Sequence, residues 1–553
     1  MADKQPLLYV DQRGESQPHI DSCDFTPLHD ASQDIYRAAA EARLRRRRAA
    51  RRAHFLGFVL LLTIGYWTHG FGLPALSAKL FHWRNGGDAI NIGSTPLEGP
   101  LILPDSPQCL LHHGDGDLHT YPLASYPLHF GSDHSLTVLQ NTTRHWAPPY
   151  DPPRNDDHDH RWRHVHVSGE VVVRQATDDH KPSVEVEALS NDKRIRTAYT
   201  FAKDSQKLSV IVDDRIWVER EHWHDGDGAC LVVRVTVWVP AAHLREFHVA
   251  AVHLGVQLID DLDLVVDEAA RLRSVIGSIV SSRGLEAEAV PQKNCHGVEM
   301  FEFASGYRFE AAETDVATTS SNIRGPWSLL DRLHIFSVSG SISVAVRPEG
   351  LEKDNKDLAD LRLETVSGSI GFEEIKKDDD DDTIARAHRL SLASRSGVVH
   401  GSGSFAQLAR LDTTSGNIAV ALTPYKVESD ENANLDTSTV SGKTVVFLLN
   451  EVHDAPVDYL ESTHHAVSGA IELHYPASWV GDIHVETLTG SVGVEGKGVH
   501  VVPDDSPRWP PKVGRKVDAI KERVGDDDGK DDGRRSSLKA DTISGHVKLT
   551  FPE

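Results

Sequence analysis

From about residue 160 onward, apolar and polar positions alternate with a period of two, as in Val165-His166-Val167 and Val184-Glu185-Val186. This pattern predicts strands with one face in a core. It is organised around a recurring element. The clearest copies are Ser337-Val-Ser-Gly-Ser-Ile-Ser-Val344, Thr365-Val-Ser-Gly-Ser-Ile-Gly-Phe372, Thr413-Thr-Ser-Gly-Asn-Ile-Ala-Val420 and Thr542-Ile-Ser-Gly-His-Val-Lys-Leu549. Looser copies centre on Ser168-Gly169, Ser396-Gly397, Ser441-Gly442, Ser468-Gly469 and Thr489-Gly490. From Ser339 to Thr489 the spacing runs from 19 to 29 residues, the range of one structural unit per coil in a repeat architecture.

If each element is a strand, Val366, Gly368, Ile370 and Phe372 share the core face, and Thr365, Ser367 and Ser369 share the outer one. The inward glycines are Gly169, Gly340, Gly368, Gly397, Gly416, Gly442, Gly469, Gly490 and Gly545. They remove a side chain where a narrow coil bends or nears its opposite wall. The expected fold is all-β, a β-solenoid or β-roll of stacked Ser-Gly repeats in which no coil buries enough alone. The alternative is an antiparallel β-sandwich, with Ser-Gly at turns. Two segments between strands read as helical, Asp267 to Ile279 and, shorter and amphipathic, Val513 to Val524.

One stretch departs from alternation altogether. Residues 55–77, from Phe55 to Ser77, contain no Asp, Glu, Lys or Arg, and as a helix they are long enough to cross a bilayer. Arg43, Arg45, Arg46, Arg47, Arg48, Arg51 and Arg52 precede them, and the first charge beyond is Lys79. The positive-inside rule then places the N-terminus in the cytoplasm, as a type II single-pass protein. The expected organisation is a disordered cytoplasmic tail over 1–54, a transmembrane helix over 55–77, and a Pro/His/Asp-rich stalk or irregular cap over 78–160. The β-rich repeat ectodomain follows over 161–553, with its clearest repeats over 330–551.

Charge and cysteines fit that topology. The formal charge is −24; the first 54 residues carry ten Lys/Arg against eight Asp/Glu, leaving −26 for the rest. Such an acidic ectodomain argues against nucleic acid as a partner. Asn141-Thr142-Thr143 is a glycosylation sequon, usable at Asn141 only on the lumenal side. Asp3-Lys-Gln-Pro-Leu7-Leu8 fits an acidic dileucine sorting motif, with Asp3, Leu7 and Leu8 as its key positions. Of the four cysteines, Cys23 lies on the reducing side. Cys230 and Cys295, both among predicted strands, form the expected disulfide.

The Thr-x-Ser-Gly-x-Ile-x-Val units resemble adhesin-like families of unknown function, common in bacteria and found in fungi, that are built as β-solenoid-like repeats. The resemblance covers about residues 330–551 and extends more weakly back to about 160. It implies surface display without catalytic residues; the anchor and basic tail point to a fungal-type membrane protein, and the sequon at Asn141 to a glycoprotein.

No catalytic, cofactor-binding or metal-ligating set is assigned from the sequence, and no cofactor is expected. His158, His160, His164 and His166, and separately His222 and His224 near Asp225 and Asp227, are dense enough to hold a metal. Their setting reads instead as solvated loop. Phosphate loops and the Gly-x-Ser-x-Gly elbow do not occur. The outward rows are expected to be mainly Ser, Thr and small polar groups, without a repeated carboxylate or Arg row. The expectation is therefore a non-catalytic, membrane-anchored, adhesin-like binding or structural protein with a glycan or protein partner, in the extracellular space or the lumen of the secretory or vacuolar system. A polysaccharide-active β-solenoid enzyme is the alternative.

Overall fold

The computed structural model describes residues 118–552 except 131–133, 144–160, 219–227, 242, 284–303, 305, 350–357, 376–386, 427–431, 451–455, 504–513 and 523–534. Phe55–Ser77, the sorting positions Asp3, Leu7 and Leu8, His158, His160, His222, His224 and Cys295 therefore lie outside the described residues.

Two long sheets, of 17 and 16 strands, make up the fold. Through the repeat region the chain alternates between them. A strand of the second sheet, such as Ala359–Thr365, is followed by a short corner and then a strand of the first, such as Ile370–Glu374. Each strand pairs in parallel with its counterparts in the neighbouring coils. Ile342, Ile370, Val399 and Ile418 are register partners in the first sheet, and Leu333, Leu361 and Leu390 in the second. Parallel pairing of successive coils is a solenoid, and it rules out the sandwich alternative for this region.

The inward side chains of both sheets form one continuous core. Ile342, Ile370 and Ile418 are at most 1% exposed, whereas Ser341 and Asn417 are exposed and Ser369 is half-buried. Each buried Ile contributes roughly 1.5–3 kcal/mol. Because strand side chains alternate in direction, this register cannot slip by one residue without placing Ser in the core.

Antiparallel strands close both ends. Ser183–Ser190 pairs antiparallel with Ala229–Val239, and Arg515–Lys521 lies antiparallel between Gly481–Thr489 and Val499–Val502. Such caps cover strand edges that would otherwise pair with other chains. Near the C-terminal end the order departs from the sequence. The last coil, Ser536–Ser544 with Val547–Phe551, sits between the coil of Leu460–Ser468 and that of Gly481–Thr489.

Four expectations are corrected. No helix occurs among the described residues. Asp267 to Ser274 belongs to the strand Asp263–Ser274, which has a register shift between Val266 and Ala269. That irregularity exposes Asp267 and Glu268 together and buries Ala269 and Ala270 together, so the apolar spacing imitates a helix. Arg515–Lys521, within the second expected helix, is likewise a strand. The stretch read as stalk or irregular cap contributes a regular strand, Ser135–Thr143, which pairs in parallel with Leu244–Ala251 and Lys207–Asp213.

The fourth correction concerns the Ser-Gly element, which is not one strand but the corner between two. Thr365 ends one strand facing the core, 5% exposed, and Ile370 begins the next. The expected outward position of Thr365 is therefore wrong, and alternation restarts after the corner.

Candidate functional site

At the corners from Ser337 to Gly416 a hydroxyl three residues before the glycine holds the turn. Ser337, Thr365, Ser394 and Thr413 accept the amide N–H of Gly340, Gly368, Gly397 and Gly416 at 2.8 to 3.0 Å. The same hydroxyls reach the coil before. Thr365 Oγ1 donates to the carbonyl of Gly340 at 3.1 Å, and Ser394 Oγ to that of Gly368 at 3.0 Å. Each hydroxyl thus satisfies two buried backbone groups, about 1 kcal/mol net per bond and more if one were orphaned.

The glycines stack beneath them in a single column. A β-carbon on Gly397 would stand 1.8 Å from the carbonyl oxygen of Gly368, and one on Gly416 1.8 Å from that of Gly397. Gly340, Gly368, Gly442, Gly469, Gly490 and Gly545 are equally confined by the neighbouring coil. Gly169 is different. It lies within the strand Arg161–Gln175 at φ +131°, against the carbonyl of Val233. Two corners escaped the sequence reading although they carry part of the signal, Ser274-Val-Ile-Gly277 and Thr318-Thr-Ser-Ser321.

The outer face of the second sheet is not the small polar surface expected. Arg271, Asp315, His334 and Arg362 fall in one register row. Asp315 meets Arg273 at 2.6 Å and His334 at 3.7 Å, while His334 approaches Glu364 at 3.8 Å. Further pairs join Arg308 to Asp263 at 2.6 Å and Arg332 to Glu313 at 2.5 Å. A hydrogen bond with His334, followed by Arg362, holds the Glu364 carboxyl below its ordinary value. Sequence reasoning read the hydroxyls near Ser-Gly and overlooked the two or three outward positions of the preceding strand, where these charges stand.

The same face carries a concave region of about 340 Å³ near the C-terminal cap, lined by Asp482, His484, Val502, Asp518, Ile520 and Lys539 among others. His484 Nδ1 lies 2.6 Å from Asp518, and His465 pairs with Asp541 at 2.5 Å.

Two buried polar clusters have the residue types of catalysis. Ser404 Oγ is 2.7 Å from both oxygens of Glu374, whose Oε2 is 3.8 Å from His388 Nε2. Hydroxyl and imidazole thus share the Glu374 carboxylate as a common neighbour. Ser404 and His388 are both buried. In the second cluster His464 bridges Thr437 at 2.8 Å and Tyr475 at 2.9 Å inside the core. Burial alone pushes its imidazole down to about 3, so it is a neutral structural link rather than a proton carrier at ordinary pH.

The remaining sequence candidates are dispersed. His164 and His166 are exposed on one face of their strand, and no metal-holding group occurs among the described residues. Asn141 is exposed on the strand Ser135–Thr143. Cys230 is disulfide-bonded, with a partner outside the described residues.

No curated protein matches the chain. A solved structure of a candidate cell adhesion protein from Clostridium sporogenes aligns over 79% of this chain and 99% of that one at 5% identity, with a TM-score of 0.13. That overlap is too slight to bear on fold or function. The family similarity rests on the repeats themselves: residues 322–553, with their stacked Ser-Gly corners, match the family described as Toastrack DUF4097.

Proposed function

We propose that this protein is a non-catalytic, adhesin-like binding or structural protein. A single membrane span holds its β-solenoid on the extracellular or lumenal side, where it presents a repetitive surface to a glycan or protein partner. The observation that carries this reading is the pairing of outward charges along the second sheet, from Asp263 with Arg308 to Asp315 with Arg273. Arg and carboxylate groups there neutralise one another from strand to strand, an arrangement suited to display. The family match over residues 322–553 supports a repeat scaffold of the same kind.

Placement follows from the apolar run Phe55–Ser77 behind its arginine cluster. The disulfide at Cys230 and the exposed sequon residue Asn141 suit an oxidising, glycosylating compartment. Asp3, Leu7 and Leu8 would direct traffic toward endosomes or the vacuole. The acidic charge of −24 disfavours nucleic acid. Protease treatment of sealed microsomes tests the arrangement. Residues beyond Lys79 are expected to be protected and the N-terminal tail digested, with a glycosidase-sensitive mass that disappears in Asn141→Gln. Protection of the tail instead would refute the orientation.

A further inference from the structure

Nine large apolar residues are exposed among the described residues, and six of them, Val275, Ile276, Val398, Val440, Leu488 and Ile543, lie at the Ser-Gly corners. A concentration of exposed aliphatic groups along one edge calls for a partner. Val440 and Val467 are neighbours in adjacent strands, and Ile543 lies between Val467 and Leu488. One position further along, Ser441, Ser468, Ser544 and Thr489 are aligned in the same register. Over these four coils the edge therefore carries an aliphatic column beside a hydroxyl column, each repeating about every 4.8 Å with the strand spacing, while Thr319, Arg395 and Thr414 stand at the aliphatic position in other coils.

Its charge sets it apart from the rest of the chain. The ten corners comprise Ser274–Ser278, Thr318–Asn322, Ser337–Ser341, Thr365–Ser369, Ser394–Val398, Thr413–Asn417, Thr439–Lys443, Ala466–Ala470, Thr487–Ser491 and Thr542–His546. They contain no Asp or Glu, although the chain has 82 acidic residues. Arg395 and Lys443 are their only Lys or Arg. The edge is also uniform in length. Four residues separate Ser337 from Ile342, Thr365 from Ile370, Ser394 from Val399 and Thr413 from Ile418. The strands Ile370–Glu374 and Arg515–Lys521 end at the other edge, and in the sequence the acidic runs Lys376–Asp382 and Gly525–Asp532 follow them.

We propose that this edge binds an extended, uncharged polysaccharide lying along the stack. The proposal rests on the binding role argued above and names its ligand class and surface. Aliphatic side chains match the C–H faces of pyranose rings, and Ser and Thr hydroxyls exchange hydrogen bonds with ring hydroxyls. The strand spacing is comparable to the advance of one sugar along an extended β-linked chain, so successive coils would meet successive sugars. Many equivalent weak contacts then add through multivalency. Because the glycine column and, at several corners, a buried hydroxyl fix the turn, the array is preorganised and little ordering accompanies binding.

The test is co-sedimentation of the full-length protein in detergent micelles with insoluble chitin, cellulose and β-1,3-glucan, using acidic polygalacturonate as a soluble competitor. The wild type is expected to sediment with at least one neutral polymer, and polygalacturonate is expected not to displace it. The double variant Val440→Asp, Ile543→Asp should lose on the order of tenfold or more in affinity, because carboxylates would be desolvated against the sugar faces. Leu449→Asp, an exposed apolar position off this edge, serves as the control and should bind as the wild type does; unchanged melting temperatures establish that all variants fold. Retained binding by the double variant would overturn the edge assignment while leaving the display role intact. Failure of the wild type to sediment with all three polymers would overturn the polysaccharide assignment, as would self-association that the double variant abolishes. Release of soluble sugars would instead contradict the non-catalytic reading.

Discussion

The carbonyl oxygen of Gly340 occupies the space in which a β-carbon on Gly368 would stand, 2.0 Å from its ideal position. Backbone fills that space, so no rotamer change relieves the clash. Gly368→Ala is expected to destabilise the solenoid by roughly 3 kcal/mol through overpacking. Gly493→Ala, where nothing lies within 4 Å of the added atom, should be near neutral. Chemical denaturation of the two variants checks the contrast.

Thr365 accepts from the Gly368 amide at 3.0 Å and donates to the Gly340 carbonyl at 3.1 Å. Thr365→Val keeps the shape and strands both partners, at an expected cost of about 2 kcal/mol, whereas Thr365→Ser should cost well under half of that. Equal losses in thermal melts would assign Thr365 a packing role only.

The buried pair of Arg234 and Glu170, 3.0 Å apart with both side chains at most 10% exposed, should be far more sensitive than the exposed pair of Arg245 and Glu268. Glu170→Ala leaves a buried guanidinium without this carboxylate and is expected to cost about 3 kcal/mol. Glu268→Ala should cost less than about 1 kcal/mol. Denaturation midpoints of the two variants measure the difference.

His464 gives the fold an acid-dependent component. Burial depresses its folded value to about 3, while the unfolded imidazole takes up a proton near pH 6.5. The unfolded state therefore binds more protons between these limits, and stability falls as pH drops from 6.5 toward 3. The slope approaches about 1.4 kcal/mol per pH unit once the unfolded imidazole is protonated. His464→Gln, which can still bridge Thr437 and Tyr475, should flatten this part of the stability profile. An unchanged slope would mean that His464 does not contribute to it.

The repeat was legible because Ile342, Ile370 and Ile418 recur at fixed distance from Gly340, Gly368 and Gly416, and core position follows directly from that spacing. The corner was misplaced because period-two alternation, carried through Thr365-Val366-Ser367-Gly368, gives the same sequence whether the chain runs straight or turns. The hydroxyl three residues before Gly340, Gly368, Gly397 and Gly416 was the available signal. Nothing local announces that the coil of Gly545 inserts between those of Gly469 and Gly490, since its motif is the same as theirs and the choice is made by tertiary pairing. The charged row through Asp315 and His334 was equally unreadable until the register placed those residues side by side.

The central functional claim is that the solenoid binds without chemistry, and the most direct measurement follows binding and product release together. Full-length protein incubated with chitin, cellulose or β-1,3-glucan is expected to be depleted from solution while no new reducing ends or unsaturated products accumulate. Sustained product release that a single substitution abolishes, such as Glu374→Gln or Asp541→Asn in a protein that still folds, would contradict it.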